Sequence, residues 1–199
     1  MDTRTAILEK NYEAILQKGF QGVRTDKVVA DLGITKGAFY HYFPNKNMLG
    51  YAVVDEIIYP NFVGVWEDSY QKLIKNKDTH AIDLICQTIE KIASFSTGEN
   101  ISVGCPLNNL IQEMSAIDEG FRQKLAAIID KQYFFIQAVL EKGKEKQQIK
   151  LEVNPNEWSY FIIAGLEGSY TIGKAKNNIE AFQASINSLL MALRSLKNI

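Results

Sequence analysis

The stretch "GITKGAFYHYFPNK", Gly33 to Lys46, decides how this chain folds. Two glycines and a proline punctuate it, yet Phe39 to Lys46 holds four aromatic residues and one of the chain's two histidines. Gly33 supplies a turn, because glycine takes left-handed backbone without steric cost. Thr35 reads as the N-cap of a short helix, Lys36 to about Tyr42. Pro44 stops that helix, since the residue before a proline is pushed out of the helical region. At about 100° per residue, Phe39 and Phe43 share one face, while Lys36, Gly37, Tyr40 and His41 lie opposite. The first pair can plug onto neighbouring helices. The second set combines a cation, a bare backbone and two rings with polar tips.

Upstream, apolar residues at helical spacing predict a first helix from about Thr3 to Lys18, ended by Gly19. Thr25 reads as the next N-cap, with Asp26 complementing the helix dipole. The helix it opens, Asp26 to Leu32, turns Val28, Val29 and Leu32 inward. Three short helices with a Thr-Asp start, a glycine turn and a second threonine cap form a helix-turn-helix inside a three-helix unit. The outward face of the third helix suits nucleic acid. A helix N-terminus and Lys36 favour phosphate, Gly37 lets the backbone approach closely, and Tyr40 and His41 can donate hydrogen bonds to phosphate or stack on sugar. Lys46 opens the following helix and can reach the same backbone. His41 has no second histidine or cysteine beside it, so no metal site is expected.

Downstream the helical pattern continues. A long segment, Lys46 to about Lys75, should kink or break near Tyr59 because Pro60 removes a backbone donor and clashes with the preceding turn. Then come Thr79 to Phe95, a loop over 96–104, Pro106 to Ser115, Asp118 to Gln147, Pro155 to Lys176, and Asn178 to Leu196. The fold class is all-α, with about nine helices. A helix-turn-helix domain is expected over 1–47, and a helical ligand-binding and dimerisation domain over 48–199. Near the end, Ile179, Phe182, Ile186, Leu189, Leu193 and Leu196 follow a 3-4-3-4-3 spacing, as in a coiled-coil seam. Ala164, Gly165, Gly168 and Ser169 form a small-residue face that lets another helix come close. With Ile172, these two helices are the expected homodimer interface.

The totals set bounds. The 199 residues carry a net charge of -1, but residues 1–50 hold 7 Lys+Arg against 5 Asp+Glu. Two cysteines, Cys86 and Cys105, make no disulfide framework and fit a reducing cytoplasm. The first ten residues show no signal-peptide h-region, and no apolar run approaches a membrane span. His41 and His80 are far apart, no glycine-rich loop follows a strand, and no paired-histidine motif occurs. Neither an enzyme nor a cofactor is expected.

Thr3-Arg4, Ile7, Gly19-Phe20, Thr25, Val29-Ala30, Gly33-Ile34-Thr35, Lys36-Gly37, Phe39-Tyr40, Tyr42-Phe43, Lys46 and Leu49 resemble the DNA-binding domain of the TetR family of transcriptional regulators. Asn11-Tyr12 and Asn47 depart from the usual pattern, where small alanines and Glu are common. The resemblance implies a cytoplasmic regulator, usually a repressor, whose partners are double-stranded operator DNA, a small-molecule effector and a second copy of itself. It implies that Thr25, Tyr40, His41 and Lys46 hold phosphates. Thr35, Lys36, Gly37 and Ala38 would then face the major groove with Tyr42 nearby. Lys36 is the best base reader, since lysine can donate to guanine O6 or N7.

The remainder would enclose the effector. Phe62, Trp66, Phe95, Met114, Tyr133, Phe134 and Phe161 are bulky residues of the fourth to eighth helices. The stretch "GCPLNNLIQEMS", Gly104 to Ser115, adds Cys105 at a helix start, with Asn108, Asn109 and Glu113 as polar contacts. It resembles a G-C-x-x-x-N segment in a subgroup that includes sensors of electrophiles or oxidants, so Cys105 is a candidate sensor thiol. A constitutive DNA-binding protein without ligand shares the same first fifty residues and stands as an alternative.

Overall fold

The computed structural model describes residues 2–76 and 78–198. Ten α-helices and one π-helical turn follow in order: α1 (Thr3–Gly22), α2 (Thr25–Asp31), α3 (Lys36–Tyr42), α4 (Lys46–Val53), the π turn (Val54–Ile58), α5 (Tyr59–Lys75), α6 (Ala81–Ala93), α7 (Pro106–Met114), α8 (Glu119–Glu145), α9 (Pro155–Lys176) and α10 (Ile179–Arg194). Because α4, the π turn and α5 run on without a break, they form the single long segment expected, and the helical count is then nine. Among the described residues the only β-type pairing is an isolated bridge, Ile149 with Lys197.

Two details depart from expectation. Pro60 does not break its helix. The Tyr59 N–H donates to the Val54 carbonyl, five residues back, and this widened turn lies just ahead of the proline. A wider turn accommodates both the missing donor and the ring that would strike the carbonyl four residues earlier. At α2 the N-cap is Arg24, with no side-chain cap, and Thr25 is the first helical residue. Arg24 instead pairs with Asp26 at 2.8 Å, so the acid at the helix start is held by a neighbour rather than by a threonine cap.

The chain divides into two compact units, one of residues 1–61 and 106–127, the other of 62–105 and 128–199. This differs from a cut after residue 47, because α4 and α7 pack with α1. In the first unit the core is built from Ile7, Leu8, Ile15, Phe20, Val28, Phe39, Phe43, Leu49 and Phe121, all buried. Gly19 sits inside α1 with φ 71 and ψ 165. That conformation interrupts the helix after Lys18, as expected, and releases backbone donors. Glu113 on α7 accepts from the N–H groups of Phe20 and Gln21, both at 2.8 Å. Any Cβ at position 19 would stand 2.8 Å from the Glu113 carboxylate.

In the second unit α10 packs on α9 and α6. Phe182, Ile186, Leu189 and Leu193 are the seam foreseen from spacing, and all four are buried inside one chain. The dimer-interface reading of these four residues is therefore corrected. A 3-4 repeat shows that a helix has a partner, and here α9 and α6 are that partner. Gly165 belongs to the same packing, since a Cβ there would meet Leu189 at 3.0 Å. Gly168 faces open space and Ile172 is exposed. The small-residue face thus splits: Gly165 and Ser169 turn into the unit, while Ala164 and Gly168 turn away from it.

Candidate functional site

The helix-turn-helix is built by conformation at Gly33 and packing at α3. Gly33 has φ 64 with nothing within 4 Å of a notional Cβ, so the positive φ, not crowding, demands glycine. Thr35 then caps α3, its hydroxyl accepting from the Ala38 N–H at 3.1 Å. Phe39 is fully buried and Phe43 nearly so. They hold α3 down, and the Arg4 guanidinium lies 5.3 Å from the Phe43 ring centroid. Arg4 itself is ion-paired with Glu56.

The opposite face of α3 is bare. Lys36, Gly37, Tyr40, His41 and Tyr42 are exposed, and Ala38 is half-buried. His41 and Tyr42 stand edge to face at 5.2 Å. Nothing inside the chain requires glycine at 37. Its φ is ordinary, and an added Cβ would meet only the Thr35 hydroxyl at 3.8 Å. Glycine costs a helix up to about 1 kcal/mol relative to alanine, so this position gives up stability for an uncovered backbone.

Thr25 is half-buried at the start of α2. Lys46 is placed otherwise than a free phosphate contact would be. Its Nζ donates to the Gln21 carbonyl at 3.0 Å and lies 4.9 Å from the Phe20 ring centroid. Burial lowers its pKa, and the Glu113 carboxylate partly offsets that. Asn47 has its own role: its amide donates to Asp118 at 3.0 Å, beside the Tyr51 hydroxyl, which donates to the other oxygen of that carboxylate at 2.7 Å.

The candidate effector residues fare unequally. Asn109 and Met114 belong to the first unit, Met114 buried and Asn109 half-buried. In the second unit Trp66 is buried, and Phe62 and Tyr133 are half-buried. Tyr133 stacks on Tyr160 at 4.7 Å and donates to Asn156 at 3.1 Å. Phe95 and Phe161 are corrected. Phe95 is 70% exposed because α6 ends at Ala93 and leaves it in a turn. Phe161 is half exposed, on the outer side of α9 beside Trp158.

Sequence reasoning missed the most unusual group in the second unit. Glu167 on α9 has an oxygen, Oε2, sealed from solvent without a hydrogen-bond partner. Burial pushes its carboxyl up to about 7, and a hydrogen bond with the Cys105 thiol restrains the rise. Cys105 is itself buried. Tyr170, one turn along α9, donates to the Ile92 carbonyl at 3.4 Å and accepts from the Ser96 hydroxyl at 3.2 Å. Burial also raises the Tyr170 phenol, with Cys105 and Glu167 adding to the rise. The available signal was helical spacing: Ile163, Leu166, Glu167 and Tyr170 lie on one stripe, which puts a carboxylate among apolar positions.

Residues 7–52 match the family described as "Bacterial regulatory proteins, tetR family", and residues 81–189 match "Tetracyclin repressor-like, C-terminal domain". The chain belongs to the TetR family. Membership makes it a ligand-responsive DNA-binding transcriptional regulator and not an enzyme. Among relatives, this TetR-family chain is 26% identical over 188 residues to an uncharacterized HTH-type transcriptional regulator in the lacX 3' region of Lactococcus lactis subsp. lactis, covering 94% of this chain and 91% of that one. It is 22% identical over 190 residues to the HTH-type transcriptional repressor DhaR of Mycobacterium sp. (strain GP1), covering 96% and 91%. Its fold is that of a TetR transcriptional regulator from Chloroflexus aurantiacus J-10-FL, with a TM-score of 0.80, 19% identity, and 98% and 96% of the two chains covered. No helix among the described residues is long and apolar enough to cross a membrane.

Proposed function

We propose that this regulator is a cytoplasmic repressor that sits on operator DNA as a homodimer and leaves it when a small molecule binds. The observation that carries the reading is the α3 face: a lysine, an uncovered helix backbone and polar-tipped rings, on a helix held down by two buried phenylalanines. Lys36, Gly37 and Ala38 enter the major groove, with Thr35 and Tyr42 at its edges. Tyr40, His41 and Thr25 hold phosphates. Lys46 joins them by giving up the Gln21 carbonyl. The repressors among the relatives support the direction of control.

The homodimer forms on the outer side of α9 and α10. Phe161, Ala164, Gly168 and Ile172 on α9, and Met191 on α10, are exposed or open although they are apolar or small. Two copies joined there hold their α3 helices at half-sites about one helical turn of DNA apart, or a multiple of it. Sedimentation of Ile172→Glu checks this: a monomer is expected, and an unchanged dimer would remove α9 from the interface.

An effector acts by binding one of two dimer geometries more tightly than the other. Phe62, Trp66 and Tyr133 are the aromatic residues of the second unit that the reading retains for it. The Gly104-Cys105 and Asn109 spacing supports kinship with the G-C-x-x-x-N subgroup. A freely reactive thiol is the weaker reading, because Cys105 is buried and its thiol is hydrogen-bonded to the Glu167 carboxyl. Titrating the full-length protein onto DNA from its own upstream region tests the proposal. Tight, salt-sensitive binding that a metabolite pool reverses is expected; no binding at low salt would refute it.

A further inference from the structure

We infer that Glu167, held beside Cys105 and Tyr170 inside the second unit, is the anchor of the effector site and selects a small organic molecule bearing an ammonium group. This rests on the reading of that unit as the effector-binding part of the protein.

Among the described residues, Glu167 carries the one buried side-chain polar atom that no hydrogen bond satisfies. A buried polar group without a partner is costly, and native proteins keep few of them unless something outside the chain completes the bond. The neighbours do not supply it. The Cys105 thiol, a weak donor, already bonds to the carboxyl. The Tyr170 proton is committed to the Ile92 carbonyl, and the same oxygen takes the Ser96 hydroxyl. Burial and the Cys105 bond are the influences that act on Glu167, with no cation of the described residues among them. Protonation does not solve the problem, since an O–H there still lacks an acceptor.

The unsatisfied oxygen therefore calls for a donor, and charge decides which kind. A hydroxyl would satisfy one lone pair but leave an ionised carboxylate uncompensated in an apolar setting. An anionic ligand would be repelled by it. An ammonium group supplies both the hydrogen bond and the opposite charge, and charge-assisted bonds of this kind are the strong ones. The groups around the site set the rest of the ligand. Two turns along the same face of α9, the alkyl stem of Lys174 packs against Gly104, next to Cys105, so a hydrocarbon body suits that side of Glu167.

Isothermal calorimetry on the full-length protein tests this. The probes are straight-chain primary ammonium ions from ethylammonium to octylammonium, each beside its matched alcohol and carboxylate. At pH 8 at least one ammonium ion is expected to bind at least tenfold tighter than its alcohol, and to weaken at pH 6, where Glu167 holds a proton. Cys105, Tyr170 and Lys174 are the other titratable groups beside the site, so the pH dependence is assigned by its loss in Glu167→Gln. In Glu167→Gln the preference for ammonium over alcohol should fall at least tenfold, with a thermal melt confirming that the variant is folded. The inference is overturned if no ammonium ion outperforms its alcohol, or if Glu167→Gln keeps the preference. The broader regulator reading is judged separately, by whether the wild-type protein binds DNA from its own upstream region.

Discussion

Helices α3 and α9 each present two faces, and they hide their function in opposite ways. On α3 the packing residues point in and the residues proposed to meet DNA point out. Phe39 is fully buried, whereas Tyr40, the next residue, is half exposed. On α9 the unusual group points in: Glu167 sits on the same stripe as Ile163 and Leu166, where a carboxylate is out of place. An exposed aromatic beside a bare glycine announces itself in a sequence. A single acid on an apolar stripe looks like one imperfection in an amphipathic pattern, and only the unsatisfied oxygen reveals it.

The largest effect separates the two faces of α3. Phe39→Ala should destabilise the first unit by about 3–5 kcal/mol, as a buried phenylalanine leaves both lost transfer energy and a cavity. Chemical denaturation would read this. A loss under 1 kcal/mol would mean that α3 is not anchored by that ring.

Next comes the inner face of α9. Glu167 keeps its proton to about pH 7 when folded, against an ordinary value of 4.5. Folding therefore takes up a proton between those two values. The contribution of Glu167 to stability is greatest below 4.5 and declines as pH rises to about 7, by about 3 kcal/mol, then levels off. Glu167→Gln should remove that slope, leaving the variant the more stable protein at pH 8. Urea melts of both proteins at pH 5 and pH 8 measure the difference. A wild type and variant with parallel pH profiles would show that the carboxyl is solvated.

Smaller still is Gly37→Ala. It should raise stability by up to about 1 kcal/mol, because no contact opposes the methyl, yet weaken DNA binding by an order of magnitude. A stabler protein with undiminished affinity would mean that the backbone at 37 does not approach DNA. Tyr40→Ala should change stability by about 0.5 kcal/mol or less while costing affinity, the reverse of the Phe39 result.

Much of this architecture could be read from residue types. Gly19 and Gly33 both take positive φ, as their positions required. The split of Phe39 and Phe43 from Lys36, Tyr40 and His41 follows from helical geometry alone. Other features could not be read, for identifiable reasons. The seam of Phe182, Ile186, Leu189 and Leu193 has the same spacing whether its partner is another chain or another helix of its own. Thr25 had a cap's chemistry, but the backbone enters the helix one residue sooner, at Arg24. The bond from Lys46 to the Gln21 carbonyl, 25 positions back in the chain, leaves no trace in residue type or spacing. Glu113 was read as a polar contact for ligand, yet it accepts two backbone N–H groups more than ninety positions away.

The most direct test of the account is the specificity of Lys36. Binding of wild type and Lys36→Ala would be compared by fluorescence anisotropy on the operator and on a set of single-base operator variants, across a range of salt concentrations. The account predicts that Lys36→Ala loses about 1–3 kcal/mol on the operator and discriminates poorly at one position of each half-site. An equal loss on every sequence, with discrimination intact, would contradict it and remove the outward face of α3 from the base-reading role.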